Sequence, residues 1–190
     1  MKDLCRVVMQ NFLELVKRRR SVRSYQKRKI PREMVHKCLR AAAYAPTACG
    51  KRSVRIIITE GKIKDELVDK ALGIVPVRNA WAKEAPVIAV FAVDRDIITH
   101  RIAPAISRVR YDFIDVGIAG EHFALQAAEL GLGTCWIVWF KVKKAAGLLG
   151  LPFNWKVESM MALGFPADQP PVREEKKTLE GFLFMGGDDD

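Results

Sequence analysis

The chain has 190 residues, 49% of them hydrophobic and 28% charged, with a formal net charge of +10 and a sequence pI near 9.6. That composition suffices for the core of one ordinary domain and excludes a disordered or fibrous chain. Its apolar runs fall short of the roughly 20 residues a membrane-spanning helix needs, and its cysteines (Cys5, Cys38, Cys49, Cys135) show neither a CxxC pair nor metal-ligand spacing to the histidines, so they read as buried thiols of a reducing compartment.

In chain order, residues 3–17 carry Leu4, Val8, Phe12, Leu15 and Val16 at helical spacing. This segment lacks a signal peptide's continuous apolar core and reads as an amphipathic helix of a cytoplasmic protein. KRRRSVRSY follows at 17–25, and between Lys17 and Arg55 fourteen Lys or Arg meet one acid, Glu33. KIPREMVHKCLRAAAYAP predicts a helix with Pro31 in its first turn, a buried stripe of Met34, Val35, Cys38, Leu39 and Ala42, and Pro46 as its stop. APTACGKRS is a small-residue loop, VRIIIT (54–59) a strand, and KIKDELVDKAL a helix. APVIAVFAV (85–93) is too short for a buried helix and rich in Val and Ile, so it reads as a central strand. Residues 94–109 fit neither period.

The longest helix runs from Tyr111 to Leu130, with Ile114, Gly117, Ile118, Glu121, Leu125 and Ala128 along one face suited to close packing against another helix. Gly131 stops it as a left-handed cap. TCWIVWF then reads as a strand, KVKKAAGLLGLP as a short helix and WKVESMMALGFP as a last core strand. The tail carries two prolines, a charge run, an apolar knot and an acidic end. With no repeat and no dividing linker, residues 1–190 read as a single α+β domain, a mixed sheet with helices packed on it.

Function is harder to read from side chains alone. His36, His100 and His122 stand apart, and neither a Ser-His-Asp arrangement nor paired acids can be argued from spacing. That favours a bound cofactor as the carrier of any chemistry. Arg19, Ser21 and Arg23 alternate, so in an extended segment all three donors point one way, as a phosphate clamp requires. The plain alternative is a solvated basic turn. A basic nucleic-acid binder is the other reading of the charge, but no helix-turn-helix, zinc-finger or RNA-binding signature accompanies it. The glycines of GLGTCWI follow a helix and precede a strand, the reverse of a dinucleotide fingerprint.

Four stretches in order, RRSVRSY, AAAYAPTACGKRSVRIIIT, GIAGEHFALQAAELGLGTCWI and LGLP…MMALGFPAD, resemble the FMN-dependent nitroreductase family across nearly the whole chain. The resemblance implies a three-layer α-β-α fold in an intertwined homodimer. The long helix would form much of the interface, and the tail from about 168 to 190 would wrap the partner. It implies FMN as cofactor and NADH or NADPH as donor. Hydride would pass to flavin N5, and a nitroaromatic, quinone or related acceptor would be reduced in a second half-reaction. By resemblance, Arg19, Arg20, Ser21 and Arg23 match the phosphate-and-ribityl segment, and Pro46, Thr47 and Ala48 match a loop given to the other subunit's flavin, with Gly50 and Arg52 just after it as further cofactor-binding candidates. Trp136, Ile137 and Val138 match the strand end beside N5, and Lys176 or Lys177, with Arg173 behind them, would complete the phosphate site. His100 and Arg101 would contact the acceptor. No metal, membrane or nucleic-acid partner is implied.

Two departures stand out. Where the family commonly has Asn-x-Gln-Pro-Trp, this chain has Gly50-Lys51-Arg52-Ser53-Val54, so Arg52 either replaces an amide at the ring or points to solvent. Val138 stands where a glycine is common. These motivate an alternative: a nitroreductase-like dimer with weak or no flavin binding that serves as a binding or regulatory module.

Overall fold

The computed structural model describes residues 12–73, 79–95, 108–168 and 170–171. Its centre is a four-stranded sheet of β1 (Val54–Glu60), β2 (Val87–Asp94), β3 (Gly133–Ile137) and β4 (Trp155–Gly164), in the order β1-β2-β4-β3. All four strands pair antiparallel, with Ile57 opposite Val90, Ala89 opposite Met161 and Cys135 opposite Ala162. The parallel contribution comes from outside the named strands, at an isolated bridge between Ser21 and Thr134.

β2 and β4 are the inner strands, and both of their faces are covered. That is why they read as continuous apolar runs rather than alternating ones. Side chains of successive residues enter opposite cores. Ile88, Val90, Met160 and Ala162 join Val22, Leu67, Leu72 and Ile137 on one side; Ala89, Phe91, Met161 and Leu163 join Cys38, Ala119, Phe123 and Ala127 on the other. Helix α1 (Phe12–Arg18) leads into the basic segment. Helices α2 (Arg32–Ala43) and α4 (Tyr111–Glu129) pack together and cover the second side; α3 (Gly61–Leu67) and α5 (Val142–Leu148) lie on the first. This is the three-layer α+β arrangement anticipated from the sequence.

Several boundaries differ from the sequence reading for local reasons. Pro31 caps α2 from outside instead of filling its first turn, because its ψ of 133° is extended. The α3 segment widens after Leu67 into a π-helical stretch, Val68–Leu72, which keeps Val68, Ala71 and Leu72 in the core. Gly131 does end α4 in the left-handed region, with φ of 75°, and the Leu132 N–H donates back to the Ala127 carbonyl at 2.8 Å. The expected strand TCWIVWF stops at Ile137, and Val138 and Trp139 emerge from the sheet.

The face of α4 that enters this core is a different one from the face read as suited to packing against another helix. Asp112, Asp115, Val116, Ala119, Gly120, Phe123, Ala124 and Ala127 are buried, whereas Ile114 and Gly117 look outward. Gly120 is inward because the Trp136 indole lies directly against it, where a Cβ would overlap Cη2 and Cζ2. Gly120→Ala is therefore expected to destabilise the fold by about 1–3 kcal/mol despite the helix propensity it adds. Urea denaturation followed by tryptophan fluorescence checks this, and an unchanged midpoint would show that Trp136 moves aside freely.

A charged cluster fastens three elements at one end of the sheet. Arg95, just past β2, donates through Nη2 to Asp112 at 2.8 Å and to Glu158 at 2.7 Å. Arg110 donates to both Asp112 oxygens, at 3.0 and 2.6 Å, and Lys156 donates to Glu158 at 2.9 Å. Asp112 begins α4; Glu158 is the extra residue of a β-bulge, where Phe91 pairs with Ser159 and Ala92 with Val157.

Candidate functional site

The basic segment is extended and laid along β3. The Val22 N–H donates to the Thr134 carbonyl at 2.9 Å, and the Val22 side chain turns inward against Gly133, where a Cβ would come within 2.7 Å of Val22 Cγ2. With Val22 inward, its neighbours in the alternation turn the other way. Arg19, Ser21 and Arg23 all act on the Cys135 thiol: burial pushes that thiol up, while the charges of Arg23 and Arg19 and the hydrogen bond from Ser21 oppose the shift. Ser21 and Arg23 are exposed on either side of the inward Val22, whereas Arg19 still closes α1, its N–H donating to the Leu15 carbonyl at 3.1 Å. Arg23 also stacks over the Trp81 ring at 5.8 Å.

Arg19 is tethered by a residue the sequence reading assigned no partner. Its Nε lies 3.1 Å from the Glu121 carboxylate on α4. Arg20 lines a cavity of about 250 Å³ with Arg18, Arg19, the Gly131–Thr134 turn and Pro170. Three guanidinium groups beside a glycine turn make this end of the molecule receptive to an anion.

Pro46, Thr47, Ala48 and Gly50 form the loop after α2. A 3₁₀ turn at Ala48–Gly50 closes with the Gly50 N–H donating to the Thr47 carbonyl at 3.1 Å, and Gly50 takes the left-handed φ of 67°. The turn is held from below by Asp115 of α4, whose Oδ1 accepts the Ala48 N–H at 2.9 Å. Thus the loop is anchored on α4, while the Arg19–Arg23 segment is anchored on β3. Arg52 is exposed, and its carbonyl accepts a hydrogen bond from Arg55 at 2.6 Å. With Thr47, Leu39 and Ile56 it borders a groove of about 320 Å³.

At the other end of β3, Trp136 leans on Phe91 at 5.5 Å and Ile137 is buried in the first core. Val138 is 73% exposed, and the Trp139 carbonyl is held by Asn79 at 3.0 Å. Trp139 itself is half-exposed. His122 borders a surface groove with Leu15, Lys37, Tyr44 and Glu129. Cys38 and Cys135 are buried free thiols, and burial pushes Cys38 up to about 12. His100, Arg101, Arg173, Lys176, Lys177 and Cys5 lie outside the described residues.

Asp112 and Asp115, and the role of Glu121 as the partner of Arg19, are what sequence reasoning missed. A signal for two of them was present. Asp112 and Asp115 fall on the same helical face as Val116, Ala119 and Phe123, and acids on an apolar stripe need partners. Among the described residues no group of His, Cys, Asp and Glu is arranged to hold a metal ion, and no helix is long and apolar enough to cross a membrane.

Comparison with known proteins places this geometry in a family. A Methanothermobacter thermautotrophicus protein, provisionally described as an NADH dehydrogenase/NAD(P)H nitroreductase, is 29% identical over 174 residues, spanning 89% of this chain and 84% of that protein. The Bacillus subtilis FMN reductase [NAD(P)H] is 27% identical over 162 residues, 79% of this chain and 64% of that one. The crystal structure of a nitroreductase family protein from Clostridium novyi NT superposes with a TM-score of 0.73 at 28% identity, covering 83% of this chain and 86% of that one. The nitroreductase family model matches residues 16–165, which take in the basic segment, the α2 loop, α4 and all four strands, so the chain belongs to the nitroreductase family.

Proposed function

We propose that this protein is an FMN-dependent NAD(P)H oxidoreductase that reduces nitroaromatic, quinone or related acceptors and works as a homodimer. The observation that carries the reading is a basic segment clamped to β3 through the Val22 N–H, with Arg18, Arg19 and Arg20 bordering one cavity of about 250 Å³ and Ser21 and Arg23 exposed beside it. These guanidinium groups and the hydroxyl form a donor set that fits a phosphate monoester, and no carboxylate in the set opposes it except Glu121 behind Arg19.

Bound FMN would supply the two-electron redox chemistry at its N5 position. The chain supplies everything else. Arg19, Arg20, Ser21 and Arg23 hold the phosphate, with Lys176 or Lys177 as further cations of the same site. Backbone at Trp136, Ile137 and Val138 orients the ring, and the exposure of Val138 leaves that strand end open for it. The loop of Pro46, Thr47, Ala48 and Gly50, with Arg52, serves the site of the second subunit. Its anchorage on α4, away from the β3 clamp, supports that division of labour. The outward face of α4 and the exposed Phe12, Leu13 and Val16 of α1 offer apolar surface for the second copy, which the tail from about 168 to 190 would wrap. Positive charge around the clamp draws in the anionic nicotinamide donor. His100 and Arg101 belong to the acceptor side in this reading.

An absorbance spectrum tests it. The purified protein, reconstituted with FMN, is expected to show oxidised-flavin bands that bleach anaerobically with NADH or NADPH and recover on adding a quinone. A protein that takes up no FMN would favour the binding-module reading instead, for which the amide-free loop Gly50–Val54 is the motivating observation.

A further inference from the structure

We propose that the donor's adenosine half rests in the groove between α5 and the loop before β4, with adenine stacked on Phe153 and the ribose 2′-phosphate met by Lys143, so that the groove selects NADPH over NADH. This inference rests on the oxidoreductase reading above and adds to it the choice of donor and the residues that make it. The groove holds about 870 Å³, within the range of small-molecule sites. Val142, Leu151, Phe153 and Trp155 are its apolar members, and Arg95 and Lys143 are among its cations. None of its lining belongs to α4, whose outward face the proposed function gives to the second copy. Val142 also borders a cavity lined by Val138, the strand-end residue assigned there to the flavin. Lys143 lies five residues beyond Val138, so the two Cα atoms are within about 17 Å even for a fully extended chain. An extended dinucleotide bridges such a span.

Two observations point to a ligand that is both aromatic and anionic. The first is Phe153, which is fully exposed on a loop that is firmly held. The Leu151 N–H donates to the Ala146 carbonyl at 3.1 Å, the Trp155 N–H to the Pro152 carbonyl at 2.9 Å, and the Arg95 N–H to the Asn154 carbonyl at 3.0 Å. The Asn154 amide adds a bond to Asp94 at 2.7 Å. An aromatic ring fixed in water is a stacking platform for a base. The second observation is surplus charge. The acids at this end of the sheet are already matched, Asp94 by Arg55 and Asn154, and Glu158 by Arg95 and Lys156. Arg95 is likewise committed to Asp112 and Glu158. Lys143 and Lys144, by contrast, are exposed on a helix that carries no acid, and neither forms an ion pair among the described residues. A 2′-phosphate brings nearly two negative charges at neutral pH, and NADH has none to offer at that position. The surplus therefore discriminates between the two donors, whereas stacking on Phe153 serves both.

Adenosine 2′,5′-bisphosphate is the probe, titrated calorimetrically into the FMN-loaded protein, in which the phosphate clamp of the basic segment is already filled. Adenosine 5′-monophosphate is the control. Lys143→Glu is expected to weaken the bisphosphate about tenfold, the reversal of one exposed charge, and to leave the monophosphate within about threefold. Phe153→Ala is expected to weaken both nucleotides about fivefold to tenfold, the loss of one stacked base. In turnover, Lys143→Glu should raise the KM for NADPH about tenfold while kcat and the KM for NADH change about twofold at most. Both side chains are exposed, so FMN affinity and melting temperature should match the wild type; if one variant fails to fold, the other decides alone. Unchanged bisphosphate affinity in either folded variant would overturn the proposal. Loss of FMN affinity in place of bisphosphate affinity would also overturn it, by giving the groove to the flavin. A wild-type protein that binds no FMN, or that neither nicotinamide bleaches, would remove the functional reading itself, whereas bleaching with variant-independent KM values would remove only the adenosine seat.

Discussion

Arg23→Glu is expected to lower FMN affinity by about two orders of magnitude, while changing the denaturation midpoint little. Arg23 is exposed and rests on Trp81, so the fold does not depend on it. The phosphate does, in the proposed function: the substitution removes an attractive unit charge and sets a repulsive one in its place. At about 4 Å and an effective dielectric near 20, each such term is worth about 4 kcal/mol before solvent relaxation. Discounting heavily for exposure still leaves about 3 kcal/mol, or a hundredfold in the dissociation constant. Arg19 is the softer target, because Glu121 already competes for its guanidinium. Flavin fluorescence quenching during titration reads the constant directly. If Arg23→Glu binds FMN as wild type does, the clamp is not at Arg23, and the basic segment returns to being a solvated turn.

The second large effect is structural. Asp112→Ala is expected to cost about 3–5 kcal/mol of folding stability, because it leaves Arg95 and Arg110 without the carboxylate that both of them hold. The side chains of Asp112 and Glu158 are 4% and 3% exposed, so water cannot replace what is lost. The same cluster makes the protein sensitive to acid. Burial alone would raise the Asp112 carboxyl, but the hydrogen bonds and charges of Arg110 and Arg95 overcome it and hold the group at about 2, against an ordinary value of 3.8. A carboxyl depressed in the folded state stabilises above its unfolded value and loses that contribution as pH falls through the folded one. Stability should therefore decline between about pH 4 and pH 2, by about 2 kcal/mol from this residue. Asp112→Ala should flatten that part of the profile. Chemical denaturation at a series of pH values measures both; an unaltered acid limb in the variant would assign the decline to other carboxylates.

What was legible in the sequence was whatever repeats with the period of an element. The β-branched run of 85–93 and the stripe of Cys38 and Ala42 name a central strand and a buried helix face because burial selects side chains position by position. The extended run around Val22 follows the same rule: an extended chain sorts neighbours onto opposite faces, and Val22 goes inward while Ser21 and Arg23 are exposed. Four motifs in order were enough to identify the fold family.

Tertiary structure alone decided the rest. Period does not tell which of two semi-apolar faces of α4 turns inward. That was settled by the Trp136 ring, which needs the space at Gly120, and by Arg95 and Arg110 drawing Asp112 inward. Glu121 and Asp115 act on residues far away in the chain, Arg19 and Ala48, and no local spacing encodes such a pair. Ser159 reads in sequence as one small residue within an apolar strand; only the bulge at Glu158 puts it opposite Phe91. The physical reason is common to all of these. Local pattern reports how much of a residue is buried, whereas the identity of what buries it depends on contacts between elements that are distant in the chain.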